Sequence, residues 1–234
     1  MIDDRPLLII TARVGSTRLP GKVLMQFWNE FSLLEFLIER LRSRFKTSKI
    51  ILATAFSKEN DLIEDIGFKC DIPVVRGPES NVLQRMNLCL DNYLNTEYIG
   101  RVTADNPFTD PELIEMQLEE MKKSAADYSY CRNVPVGSAA DLWTYDCFKR
   151  TVNEATSNYE KEHVNAWAWN NQDRIKVLWY NRFSMKTASK INLSVDTIEQ
   201  FVEVKRITRI LDDPINASLD EIECKLEAVK EGKK

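Results

Sequence analysis

Short apolar runs alternate with amphipathic segments through the first 123 residues, and this rhythm restricts the chain to one fold class. Leu7–Thr11, Lys49–Thr54 (KIILAT), Pro73–Val75 and Tyr98–Val102 read as buried strands. Helices are predicted between them over Ser32–Phe45, Asn60–Ile66 (stopping at Gly67) and Ser80–Tyr93, with another over Pro111–Lys123. Leu34, Leu37, Ile38 and Leu41 fall at helical spacing, and Ser32 with Glu35 forms a capping box. Proline in the first turn and early acids suit the start of the 111–123 helix. Alternating strands and helices of this length give right-handed βαβ units and a mostly parallel sheet flanked by helices, an α/β fold. Such sheets bind ligands at the carboxyl ends of their strands.

After Asp127 the rhythm changes. Tyr128–Arg132, Asp141–Tyr145 and Ile175–Trp179 read as strands, Asp146–Glu154 and Glu160–Trp169 as helices. "INLSVDTIEQF" is expected to end a strand at Val195 and to open a helix with Asp196 at or near its cap. The acidic, lysine-terminated tail from Ser218 predicts a solvent-facing helix with a frayed end. With 234 residues and no internal repeat or linker, one domain over 1–234 is expected.

The formal net charge of −4 argues against nucleic acid as a partner, because a phosphate-backbone binder needs an excess of basic surface. Five cysteines without C-x-x-C spacing read as reduced thiols. A single histidine, His163, excludes a histidine-rich zinc site, so any metal is expected to be a hard cation on carboxylates. The first residues lack a basic region followed by an apolar run, and no stretch is apolar for long enough to span a bilayer. The expected location is cytoplasmic.

Two of the chain's 7 glycines sit in "ARVGSTRLPGK", directly after the first strand and among Arg13, Arg18 and Lys22. The loop is not a Walker A motif, since Val23 follows Lys22, and it lacks G-x-G-x-x-G. Gly15 and Gly21 let backbone N–H groups approach phosphate oxygens, while Arg13 and Lys22 supply charge and Arg18 adds charge or braces the loop.

"RVTADNPFTDP" places Asp105 after the fourth strand, where a carboxylate can meet a Mg²⁺ carried by phosphates. Asp110, before Pro111, reads as a helix cap. Asp196 in "SVDT" has the same capping alternative. Only beside the basic loop do Asp105 and Asp196 read as a two-carboxylate metal site. Trp143, Trp167, Trp169 and Trp179 are expected in the core or at a subunit interface, with a sugar platform as the lesser alternative.

"ARVGSTRLPGKVL" resembles the opening motif of the cytidylyltransferases that activate sugars as CMP conjugates, including the CMP-Kdo and CMP-sialic acid synthetases. The spore-coat polysaccharide (SpsF-like) branch is most similar, because it also carries "VVRGPESNVLQR", "RVTADNPFTDPELI", an "EHV" helix and a closing "VDT-x-E" turn in this order. The resemblance covers roughly residues 6–205.

It implies a Rossmann-like, GT-A-like nucleotidyltransferase fold that takes CTP with Mg²⁺, couples it to a sugar acid and releases pyrophosphate, in a homodimer. Arg13 and Lys22 match residues that grip the triphosphate, and Ala12 and Gly15 line the nucleotide loop. Asp105 and Asp196 match the two carboxylates that hold Mg²⁺. Arg76, Asn81 and Arg85 fall in the segment lining the nucleotide and acceptor cleft. Glu162 and His163 match the acceptor-side helix. Residues 128–180 are implied to supply acceptor-side and dimerisation elements.

Two positions depart from the pattern. Asn81 stands where relatives commonly carry aspartate. "PVGSAADLWTYDCF" aligns with a stretch reading roughly G-x-D-x-E, so Ala139 replaces an acid and Asp141 retains a shorter one on the acceptor side. Three other readings stay open on the residues alone. They are a sugar-phosphate nucleotidyltransferase using another NTP, a GT-A-like glycosyltransferase and a non-catalytic nucleotide-binding module.

Overall fold

In the computed structural model, residues 5–91, 93, 96–181, 191–230 and 232 are described. The strands are β1 Leu7–Thr11, β2 Gln26–Trp28, β3 Phe31–Ser32, β4 Ile50–Ala55, β5 Val74–Gly77, β6 Tyr98–Thr103, β7 Tyr128–Arg132, β8 Asp141–Thr144 and β9 Val177–Asn181. The α-helices are α1 Leu33–Arg42, α2 Asp61–Lys69, α3 Val82–Leu88, α4 Pro111–Ser124, α5 Tyr145–Glu154, α6 Asn158–Glu162, α7 Ala166–Asn170, α8 Ile198–Ile207 and α9 Leu219–Lys230.

Seven strands form one sheet in the order β5-β4-β1-β6-β8-β7-β9. The block β5-β4-β1-β6 is parallel, β8 runs antiparallel to both β6 and β7, and β9 is parallel to β7. This is the mostly parallel α/β sheet that the alternating pattern predicts. Residues 128–180 contribute β7, β8 and β9 to the same sheet.

Helices cover both faces, so the central strands are apolar on both sides. Leu8 and Ile10 pack with Leu34, Leu37 and Ile114 on one face, while Leu7 and Ile9 pack with Leu83, Met86 and Phe148 on the other. A third core joins Phe27, Phe36 and Phe108 to Leu193, Phe201 and Ile222. Trp143 and Trp167 are buried in the second core, whereas Trp169 is 40% exposed. The β2–β3 hairpin was not anticipated.

Caps set the helix starts. Ser32 and Glu35 make the predicted capping box at α1, and the Asp110 carboxylate accepts from the Glu112 and Leu113 N–H groups at α4. Four sequence expectations need correction. Helix α2 runs through Gly67 to Lys69, because this glycine is a packing residue: a Cβ there would lie 2.2 Å from the Val74 side chain. Helix α3 begins only after Asn81 and ends at Leu88; residue 92 of the longer predicted helix lies outside the described residues. The 160–169 helix is two short helices. The His163 N–H closes α6 on the Tyr159 carbonyl at 2.7 Å, and the His163 carbonyl receives the Ala166 N–H at 2.8 Å.

Finally, residues 191–195 make one isolated bridge, Val136 to Asn192, in place of a strand. The cap of α8 is Thr197, whose hydroxyl accepts from the Gln200 N–H. The Asp196 carboxylate is thereby released from capping.

Candidate active site

Strand β1 lies where successive crossovers change direction: β4 is added on one side of it and β6 on the other. A crevice opens outside the carboxyl ends of β1 and β6 at such a switch point. The loop after β1 is held there by backbone geometry. The Val14 N–H donates to the buried Asn60 side chain at 2.9 Å, and the Gly21 N–H donates to the Val14 carbonyl at 3.0 Å. Gly21 takes φ 72°, a left-handed conformation that glycine adopts without steric cost, and turns the chain so that Lys22 points inward.

Lys22 is 7% exposed. Its ammonium donates to Asp105 Oδ2 at 2.8 Å, Asp196 Oδ1 at 3.0 Å and the Val195 carbonyl at 2.7 Å. An ammonium has three donors, so all are used. The resemblance implies a triphosphate role for Lys22; in the structure its ammonium lies between two carboxylates. The Val195 N–H returns to the Asp105 carbonyl at 2.9 Å, which ties the 191–196 segment to the end of β6. Arg18, exposed, pairs with the second oxygen of Asp196 at 2.9 Å.

Two carboxylates are the hard oxygen donors that Mg²⁺ takes together with substrate phosphates. Here Asp105 Oδ2 and both Asp196 oxygens are engaged by Lys22 and Arg18, so a metal would have to draw them from these cations. No cluster of three or more His, Cys, Asp or Glu occurs among the described residues, so an all-protein metal cage is not built here.

Around this ammonium lies a cavity of about 360 Å³. Ala12, Arg13, Arg18, Lys22, Arg85, Asp105, Glu162, His163 and Asp196 all line it, from regions far apart in the chain. Arg85 is 2% exposed, and its Nη1 donates to the Pro78 and Glu79 carbonyls at 2.9 and 3.2 Å. Its Nε is buried without a partner among the described residues. Burial first, and then the neighbouring Arg13 charge, lowers the Arg85 pKa to about 10, which still leaves it cationic at neutral pH. Gly77 lets α3 approach this closely, since a Cβ there would be 2.9 Å from Arg85.

A second cavity of about 550 Å³ adjoins the first, with Arg101, Thr103 and Asp105 common to both linings. Its other walls include Tyr130, Arg132, Asn106, Ala139, Asp141 and Ser194. Asp141 Oδ1 accepts from the Tyr128 hydroxyl at 2.5 Å, and that hydroxyl accepts from the Trp169 indole N–H at 3.1 Å. Burial pushes the Asp141 carboxyl pKa up, and Arg101 opposes the shift.

Several residues grouped in the sequence are separated in space. Glu162 and His163, assigned with Asp141 to the acceptor, face the first cavity, while Asp141 faces the second. The break at His163 turns Val164 into the core and leaves His163 against the cavity. Gly15 lines neither cavity. Arg76 lies on β5 and pairs with Glu64 and Asp61, which raise its pKa. Asn81 caps α3, its side chain accepting from the Gln84 N–H at 2.9 Å. Arg101, Thr103, Tyr130 and Arg132 were missed. The available signal was an arginine inside the apolar strand "YIGRVT".

Gly137 closes the second cavity with φ 85°, and a Cβ there would lie 2.8 Å from the Ser194 nitrogen and 2.9 Å from Asn106 Oδ1. Gly137→Ala is expected to cost roughly 1–3 kcal/mol, from strained backbone and contact together. Urea unfolding within 0.5 kcal/mol of wild type, taken as about the limit for benign substitutions, contradicts this account.

The cytidylyltransferase family profile matches residues 7–233, and the chain belongs to that family. It is a nucleotidyltransferase. Over 193 residues it is 34% identical to the uncharacterized protein MJ1063 of Methanocaldococcus jannaschii, covering 82% of this chain and 79% of that protein. It is 29% identical over 221 residues to the spore coat polysaccharide biosynthesis protein SpsF of Bacillus subtilis, covering 92% and 91%. A 3-deoxy-manno-octulosonate cytidylyltransferase of Agrobacterium fabrum is 28% identical over 128 residues, covering 53% of this chain and 49% of that one. The fold matches a solved cytidylyltransferase of Leptospira borgpetersenii with TM-score 0.86 and 24% identity, covering 96% of this chain and 93% of that one.

Proposed function

We propose that this protein couples CTP to a sugar acid, giving a CMP-sugar and pyrophosphate in a Mg²⁺-dependent reaction that feeds surface polysaccharide synthesis. One observation carries the reading. A cavity with Arg13, Arg18 and Arg85 on its wall and two converging carboxylates at its floor opens onto a second cavity across the end of β6. Similarity to SpsF supports the polysaccharide setting, and similarity to the Agrobacterium enzyme supports a sugar acid as acceptor.

Arg13 and Arg85 offset charge on the β- and γ-phosphates and on departing pyrophosphate. Asp105 and Asp196 hold Mg²⁺, which when bound supplies charge neutralisation at the reacting phosphorus. Lys22 holds the two carboxylates side by side, and a metal carried by substrate phosphates would take them over from its ammonium. The second cavity orients the acceptor oxygen for in-line attack, and positioning with charge stabilisation supplies catalysis without a covalent protein nucleophile.

Pyrophosphate release measured with four NTPs, crossed with 2-keto-3-deoxy sugar acids and sugar phosphates, tests the reading. Release is expected with CTP and a sugar acid, and EDTA is expected to abolish it. Release only with another NTP, or from none of the combinations, rejects the proposal.

A further inference from the structure

We infer that Arg101 is the residue through which the second cavity recognises an anionic group on the acceptor, a carboxylate or phosphate carried beside the attacking oxygen. The inference rests on the nucleotidyl-transfer reading above and adds the determinant of acceptor choice.

Strand β6 is the partition between the two cavities, and Arg101 lines both. Its side chain is only 16% exposed. A guanidinium presents five N–H donors, yet Arg101 donates no hydrogen bond to another described residue. Its Nε is buried without a partner among the described residues, and Asp141 Oδ2 is 3.7 Å from Nη1. That separation is an ion pair too long for a hydrogen bond. The other oxygen of Asp141 is held by the Tyr128 hydroxyl.

Two arginines, Arg101 and Arg132, and two carboxylates, Asp105 and Asp141, line the second cavity, with Asp141 set against Arg101. Asp105 is committed to Lys22. Arg132, on the same lining, stacks on the Trp179 ring at 3.6 Å and has no carboxylate partner among the described residues. Ala139 adds no charge. An uncharged acceptor would leave the buried Arg101 Nε–H unpaired, and sites with unpaired buried polar groups discriminate strongly against such ligands.

The position of Arg101 limits where the anion sits. A group bound to it lies at the common wall, next to Asp105 and the reacting phosphate. In a 2-keto sugar acid the carboxylate is on the carbon that bears the attacking hydroxyl. In a sugar 1-phosphate the attacking oxygen belongs to the phosphate itself. Both place negative charge beside the nucleophile, and a fork of parallel N–H donors suits either oxyanion.

Calorimetric titration of wild type, R101Q and R101K tests the assignment with two matched pairs. One pair is 3-deoxy-manno-octulosonate and its methyl ester; the other is glucose 1-phosphate and glucose. Wild type is expected to bind the anion at least ~10-fold tighter than its neutral counterpart in one pair, the effect of charge-assisted hydrogen bonds. The pair that shows it identifies carboxylate or phosphate. R101Q is expected to reduce the preference to within about threefold, while R101K, which keeps charge but loses the fork, falls between.

The ratio is insensitive to a general loss of folded protein, so a structural role alone does not move it. An undiminished preference in R101Q overturns the inference, as does absence of preference in both wild-type pairs. If R101Q does not fold, an undiminished preference in R101K overturns it. Anion preference in a wild-type protein that releases no pyrophosphate instead rejects the catalytic reading and leaves the Arg101 assignment standing.

Discussion

Asp105→Asn is expected to lower CTP-dependent pyrophosphate release at least ~100-fold, the loss typical of removing one preorganised electrostatic stabiliser. Asparagine matches aspartate in shape and can still accept the 2.8 Å hydrogen bond from Lys22. The fold should therefore persist while the negative donor is lost. Because Asp105 sits on the boundary of both cavities, its charge acts where nucleotide and acceptor meet. Asp196→Asn should fall in the same direction, since its carboxylate meets Asp105 at the same ammonium. Steady-state release assays on the circular-dichroism-matched variant decide the matter. Turnover within threefold of wild type removes Asp105 from the reaction.

Lys22→Met is expected to destabilise the protein by roughly 3 kcal/mol, the low end for breaking a buried ion pair, because Asp105 and Asp196 keep 28% and 31% side-chain exposure. Methionine fills most of the volume but leaves two carboxylates and the Val195 carbonyl without their common donor. The carboxylates then repel one another across the end of β6. Arg18 relieves only Asp196, and from an exposed position. Millimolar Mg²⁺ should recover part of the loss, since a cation that binds only the folded state raises stability by mass action. Urea unfolding with and without Mg²⁺ measures both effects. A variant as stable as wild type shows that Lys22 does not hold the site together.

These expectations depend on contacts of very different legibility. The loop after β1 could be read directly, because cations and glycines at the end of an apolar strand are a local pattern. The same holds for the Ser32 capping box and for the Asp110 cap, where side chain and backbone partners lie within three residues. Asp105 was legible through its place after β6. The partners of Lys22 were not, since they lie 83 and 174 residues away. Its identity as a loop cation suggested phosphate; its burial between two carboxylates could not be read from the loop.

Gly67 and His163 show the converse problem. In isolation a glycine ends a helix and a histidine within a helical stretch continues one. Gly67 instead stays helical to admit Val74. At His163 the helix is interrupted, with Val164 in the core. Arg101 had a visible oddity, a charge inside an apolar strand, but its importance comes from β8 running antiparallel beside β6 and bringing Asp141 opposite it.

The strand–helix alternation of the first 123 residues apart from the β2–β3 hairpin, the α/β class and the ends of the strands that carry chemistry were inherent in residue pattern, because burial periodicity and capping act over a few neighbouring residues. Which side chains share a cavity was decided by the crossovers of the sheet. They bring Arg13, Asp105, His163 and Asp196 to one place and direct Asp141 to the next. Packing of distant segments sets those neighbours, and no local spacing in the chain encodes them.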